Sequence, residues 1–112
     1  MSLDKYHSFS QKDLFGGKGE VQIWNLLAGR NMPPFSATLW CELEPKGNVG
    51  RHRQQRDPEI IICVSGEGEA TVGKYTHSLG KGTFLYVPFG TPLSLKNNGD
   101  EPLCYLIIKA QK

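Results

Sequence analysis

The stretch Gly47–Gly66, GNVGRHRQQRDPEIIICVSG, decides how the rest of this chain is read, together with its counterpart Gly82–Asn97, GTFLYVPFGTPLSLKN. Both are short β-rich runs framed by glycine, with polar side chains set among aliphatic ones. Side chains two apart along a strand share a face, so His52 and Gln54 point to one side. Ile61 and Cys63 share a side with Glu59 if that strand opens as early as Glu59. Pro88 ends a strand because it has no N–H to give the ladder. Gly66 and Gly90 suit turns whose backbone conformation other residues resist. Asn97, in a run of turn-formers, can bond its own backbone.

Working outward, the pattern predicts further strands at Val21–Leu27, Ala37–Leu43, Gly50–Gln54, Ile60–Ser65, Glu69–Val72, Tyr75–Leu79, Thr83–Pro88, Leu93–Asn97 and Leu103–Ala110. Thirteen glycines and seven prolines punctuate them, as in barrels and sandwiches. Pro45-Lys46-Gly47 and Asn98-Gly99-Asp100 read as turns, and Ser65-Gly66-Glu67-Gly68 and Val72-Gly73-Lys74 as tight hairpin connections. Ser10–Leu14 could form a single helical turn capped by Ser10. No linker or repeat divides the chain, so one domain over 1–112 is expected, with a barrel core at about 37–109 and N-terminal strands before it.

Taken together, the two opening stretches resemble the paired motifs of the cupin superfamily. The first, G-x5-H-x-H-x3,4-E-x6-G, is met by Gly47, His52 one residue early, Gln54, Glu59 and Gly66. The second, G-x5-P-x-G-x2-H-x3-N, is met by Gly82, Pro88, Gly90, Leu93 and Asn97. The resemblance covers roughly Ala37 to Lys109 and implies an all-β jelly roll, the double-stranded β-helix barrel of the small single-domain cupins. It also implies a metal held by the two histidines and the glutamate of the first motif and the histidine of the second. This chain keeps His52 and Glu59, has Gln54 for one histidine and Leu93 for the other. Leu93 has no electron pair to offer, and an amide oxygen at Gln54 is a harder, neutral donor. The implied metal set is therefore reduced to His52, Gln54 and Glu59, a degenerate site that would hold Fe, Mn, Ni or Zn weakly.

Three functions stay open at this level. The first is a barrel that binds a small organic ligand through His52, Gln54 and Glu59 without metal. The second is a metal-dependent dioxygenase or isomerase using the same three residues. The third is metal-free acid/base chemistry, with His52 and Glu59 as the candidate catalytic pair. Leu93 makes one wall of the expected pocket apolar, and Leu95, Trp40, Phe35, Phe84 and Tyr86 are available to extend it. Each of those aromatics could equally pack between sheets, and Glu59 could equally be a solvent-facing residue opening a strand. A buried Glu59 would need a partner, since an unpaired carboxylate is costly to bury.

Net charge is +2, from 13 basic and 11 acidic residues spread along the chain, so no footprint for nucleic acid is present. Arg51, Arg53 and Arg56 form the one local excess, either a solvated loop edge or an anion-attracting rim at a pocket mouth. His77 reads as a structural polar residue, and His7 lies near the terminus. No apolar run nears the roughly 20 residues needed to cross a bilayer, so no membrane partner is expected. Cys41, Cys63 and Cys104 form no metal-type pair, and an odd count without a secretory leader points to a reducing, cytoplasmic compartment. A homodimer is expected, with Val21–Leu27 free to extend a partner's sheet.

Overall fold

The computed structural model describes residues 3–53 and 56–111. Among the described residues ten strands are laid down in chain order: β1 Ser8–Lys12, β2 Glu20–Asn25, β3 Phe35–Leu43, β4 Asn48–Arg53, β5 Glu59–Ser65, β6 Gly68–Val72, β7 Tyr75–Leu79, β8 Phe84–Val87, β9 Pro92–Asn97 and β10 Leu103–Ala110. They form a six-stranded sheet in the order β1-β2-β3-β10-β5-β8 and a four-stranded sheet in the order β4-β9-β6-β7, with every neighbouring pair antiparallel. The expected all-β jelly roll is the fold observed. Alternating residues of both sheets fill the space between them, led by Leu43, Ile61, Leu93, Leu103 and Tyr105.

The chain changes sheet at its breakers. Pro45-Lys46-Gly47 carries it from β3 to β4, and Asn98-Gly99-Asp100 from β9 back to β10. The two crossings are tied together, because Lys46 Nζ pairs with Asp100 Oδ1 at 3.3 Å and donates to the Asn98 carbonyl at 3.0 Å. Asn97 anchors the same corner from inside: its Nδ2 lies 2.8–3.1 Å from the carbonyls of Leu43, Glu44 and Glu101, and its Oδ1 accepts from Gly99 N. That last contact is the local backbone bond expected of Asn97.

Three expectations change. Ser65-Gly66-Glu67-Gly68 is not a hairpin, because β5 and β6 belong to different sheets. Gly66 takes φ +93°, and a Cβ there would sit 2.6 Å from the Pro102 carbonyl, so only glycine lets the chain cross under that segment. Ser10–Leu14 is not a helical turn. Ser10 lies in β1, where its hydroxyl bonds the side chains of Glu20 and Gln22 on β2, and pairing with β2 outweighs the cap. The turn falls later, as a 3-10 element over Leu14–Gly16. Finally, Val21–Leu27 offers no free edge, since β2 pairs with β1 on one side and β3 on the other; the edges of this sheet are β1 and β8.

Candidate functional site

The two sheets part at one end to leave a cavity of about 890 Å³. Its strand walls come from the inward faces of β2, β3, β4, β5, β9 and β10, closed at the side by β1 and the 3-10 turn. His52 enters from β4 through a backbone irregularity. Val49 pairs with Leu95 and His52 with Leu93, so β4 advances three residues while β9 advances two. The extra residue is a β-bulge, and it returns His52 to the face of Val49 when strict alternation would send it outward. Gly50 sits in the bulge because a Cβ there would lie 2.0 Å from the Phe15 carbonyl.

His52 Nδ1 is 2.8 Å from the Gly50 carbonyl, so this nitrogen carries the proton and Nε2 keeps its lone pair. Phe15 stacks on the imidazole at 3.8 Å between centroids and 13° between planes. Burial lowers the His52 pKa, the Gly50 bond opposes that, and Lys109 lowers it further. A neutral imidazole results.

Glu59 opens β5 with its side chain turned inward, 3% exposed. Its Oε2 is buried with no hydrogen-bond partner. Burial pushes its pKa up to about 7, against the pull of Lys109, its register partner on β10. Cys41 and Tyr105 lie close enough to this carboxyl for its charge to raise the pKa of both. Burial pushes Cys41 up to about 12 and Tyr105 well above its usual range, so both stay neutral.

Of the residues expected at the site, His52, Glu59, Leu93 and Leu95 line the cavity together. Gln54 lies outside the described residues. Trp40 and Tyr86 do not line it. On β3 the inward positions are Leu39, Cys41 and Leu43, which turns Trp40 outward opposite Trp24, its indole donating to Glu42 Oε2 at 3.2 Å. On β8 Leu85 and Val87 face in, which leaves Phe84 and Tyr86 59% and 58% exposed; Phe35 is exposed as well. His77, on exposed β7, and His7 stand outside the cavity too. Sequence reasoning missed Cys41, Tyr105, Ile107 and Lys109 as lining residues. Alternation along Leu103–Ala110 groups the last three on one face, but their placement beside Glu59 depends on the pairing of β10 with β5. Arg51, Arg53 and Arg56 are all exposed and all border the cavity, so they form a solvated edge that lies at its mouth.

Among the described residues the expected metal set is incomplete, with His52 and Glu59 in place and Gln54 outside them. Among the described residues no three His, Cys, Asp or Glu side chains gather to share an ion. His52 Nε2 and Glu59 supply two donors where a catalytic site takes three protein ligands, and the position across from His52 is the hydrocarbon of Leu93.

The comparisons agree with this fold. A family model described as a cupin domain matches residues 39–109. An oxalate-binding protein of Thermotoga maritima is 30% identical over 95 residues, which cover 83% of this chain and 78% of that one. A crystal structure from Thermotoga maritima, described as a "predicted oxalate decarboxylase", superposes with a TM-score of 0.91 at 23% identity, over 99% of this chain and 97% of that one. The cupin domain of Schizosaccharomyces pombe Cnp3 superposes with a TM-score of 0.78 at 21% identity, over 99% of this chain and 72% of that one. With a family match across most of its length and a relative at this identity, the chain belongs to the cupin domain family.

Proposed function

We propose that the barrel binds a small organic molecule in its interior without a metal, oriented by His52, Glu59 and Gln54 and packed against Leu93. The observation that carries this reading is the buried Glu59 Oε2 with no partner. A buried polar atom left unpaired costs about 1–3 kcal/mol, and a ligand reaching it removes that cost. The cavity has the composition of a small-molecule site, apolar with a few convergent polar groups. The oxalate-binding relative is consistent with a small ligand in this barrel.

The test measures metal content by elemental mass spectrometry, before and after loading with Fe(II), Mn(II), Ni(II) and Zn(II), beside a His52→Ala control. The same protein is screened for thermal stabilisation by small organic acids, alcohols and amides. Substoichiometric metal with a stabilising organic ligand is expected. Near-stoichiometric metal that disappears in His52→Ala would overturn the reading in favour of a metal-dependent dioxygenase or isomerase.

The chain is further proposed to act as a homodimer in the cytoplasm. Phe84 and Tyr86 are exposed on the outer face of the six-stranded sheet, beside half-buried Ile60, Ile62, Leu106 and Trp40, and a second copy could cover them. Cys41, Cys63 and Cys104 are free thiols, which suits a reducing compartment. No helix among the described residues is long and apolar enough to cross a membrane.

A further inference from the structure

Resting on the reading above, we infer that the ligand is an organic monoanion with an apolar body, its single charge held by the cations of the cavity and its hydrocarbon part against Leu93, Leu95 and Ile107. Four cationic residues border the cavity, Lys109 on its wall and Arg51, Arg53 and Arg56 at its exposed rim, Arg51 and Arg53 flanking inward-facing His52 on β4. Among the described residues none of them forms an ion pair. Among the described residues Arg51 and Arg53 donate to the carbonyls of Gly73 and Gly90, at 3.4 and 3.1 Å, which leaves further guanidinium N–H groups for a ligand. Among the described residues Glu59 is the one carboxylate lining the cavity, and it does not pair with Lys109. An anion is therefore what this charge distribution selects.

The distribution is also polarised in depth. The three arginines are exposed and Lys109 half-buried, whereas Leu93, Leu95, Tyr105 and Cys41 are fully buried. A ligand that meets the cations thus extends its other end into hydrocarbon, which favours an apolar body at roughly 25 cal/mol per Å² covered. A second charge at that end would be penalised twice. Leu93 and Leu95 offer it no donor, and the unpartnered Glu59 Oε2 offers another oxygen. Glu59 accepts or donates a hydrogen bond to a neutral polar group there. A compact dianion has no complement in this arrangement.

The test uses isothermal titration of the full chain at neutral pH with octanoate, 1-octanol, octanedioate and oxalate, alongside the metal-content measurement above. Octanoate is expected to bind at least tenfold more tightly than the other three, with an affinity that falls as salt is raised. The double variant Arg53→Gln/Lys109→Met should bind octanoate no better than octanol. Circular dichroism will show whether that variant is folded, and the salt dependence of the wild type reads the same charge contribution without any substitution. Equal affinity for octanol and octanoate overturns the monoanion while leaving an organic-ligand barrel in place. Preference for octanedioate or oxalate overturns it as well, and so does failure of every probe to bind at millimolar concentration. If only metal binds, stoichiometrically, both this inference and the reading beneath it fall.

Discussion

Glu59 and Lys109 occupy partnered positions on β5 and β10 and both line the cavity, yet no ion pair joins them. The carboxyl is thus buried without the neighbour best placed to neutralise it, and burial raises its pKa from 4.5 to about 7 while Lys109 opposes the rise. The folded protein holds this proton where the unfolded chain has released it. Stability is therefore lost as pH rises from about 4.5 to about 7, by on the order of 3 kcal/mol at 1.36 kcal/mol per unit. His52 has the opposite sign: its lowered pKa makes the unfolded chain protonate first, so its contribution is lost on acidification below about 6.5. Glu59→Gln removes the first effect and keeps the second. Urea melts should show the wild type falling by about 2–3 kcal/mol relative to the variant between pH 5 and pH 8. Parallel stability curves would rule the buried acid out.

His52 faces Leu93 directly across β4 and β9, so Leu93→His sets a second imidazole beside the first. Leu93 is 2% exposed, and replacing it with a polar ring should cost the metal-free protein about 2–4 kcal/mol. Added Ni(II) or Zn(II) should restore the melting temperature, with near-stoichiometric metal by elemental analysis, because His52, Glu59 and the new histidine make three donors. A variant that takes up no metal would mean that these three positions do not converge.

Asn97 should be among the most sensitive positions away from the cavity. Its Nδ2 is bonded to carbonyls of Leu43, Glu44 and Glu101, of which the Glu44 carbonyl also accepts from Gly47 N. Asn97→Ala is expected to cost about 3 kcal/mol or more, and Asn97→Asp at least as much, since it turns an oxygen toward three carbonyls. Thermal melts of the two variants check the order; an Asp variant as stable as wild type contradicts the bonding scheme.

Light scattering should give a dimer at micromolar concentration, with Phe84→Glu/Tyr86→Glu monomeric and its cavity unaltered. Both side chains point away from the cavity, so ligand affinity should stay within about twofold. A wild-type monomer refutes the pairing.

The barrel was legible because its signals are local. Gly66, Pro88, Gly90 and Asn97 each answer a backbone demand that can be read from neighbours in the chain, and Glu59 does open its strand with an inward side chain. The cavity was less so. Trp40 and Tyr86 fall outside it because the phase of β3 and β8 is set by which residues meet the opposite sheet, and aromatic character alone carries no phase. Tyr105 and Lys109 reach Glu59 only through a pairing across more than forty residues of chain. Phe15 reaches His52 through its own left-handed φ of 54° ahead of Gly16, a conformation a phenylalanine seldom takes.

The stacking of Phe15 on His52 has a consequence for how such a barrel diverges. The matched family region begins at residue 39, yet Phe9, Gln11, Leu14, Phe15, Val21 and Ile23 all line the cavity from upstream of it. The lip of the vessel is thus built by the β1-β2 edge of the larger sheet and the 3-10 turn between them, held to the wall by the pairing of β2 with β3 and where Phe15 meets the Gly50 bulge. Mutations at the exposed lip positions Phe9, Gln11 and Phe15 can retune which molecules are admitted while the buried core of the sheets keeps its shape. Ligand preference and barrel architecture are then free to drift at different speeds.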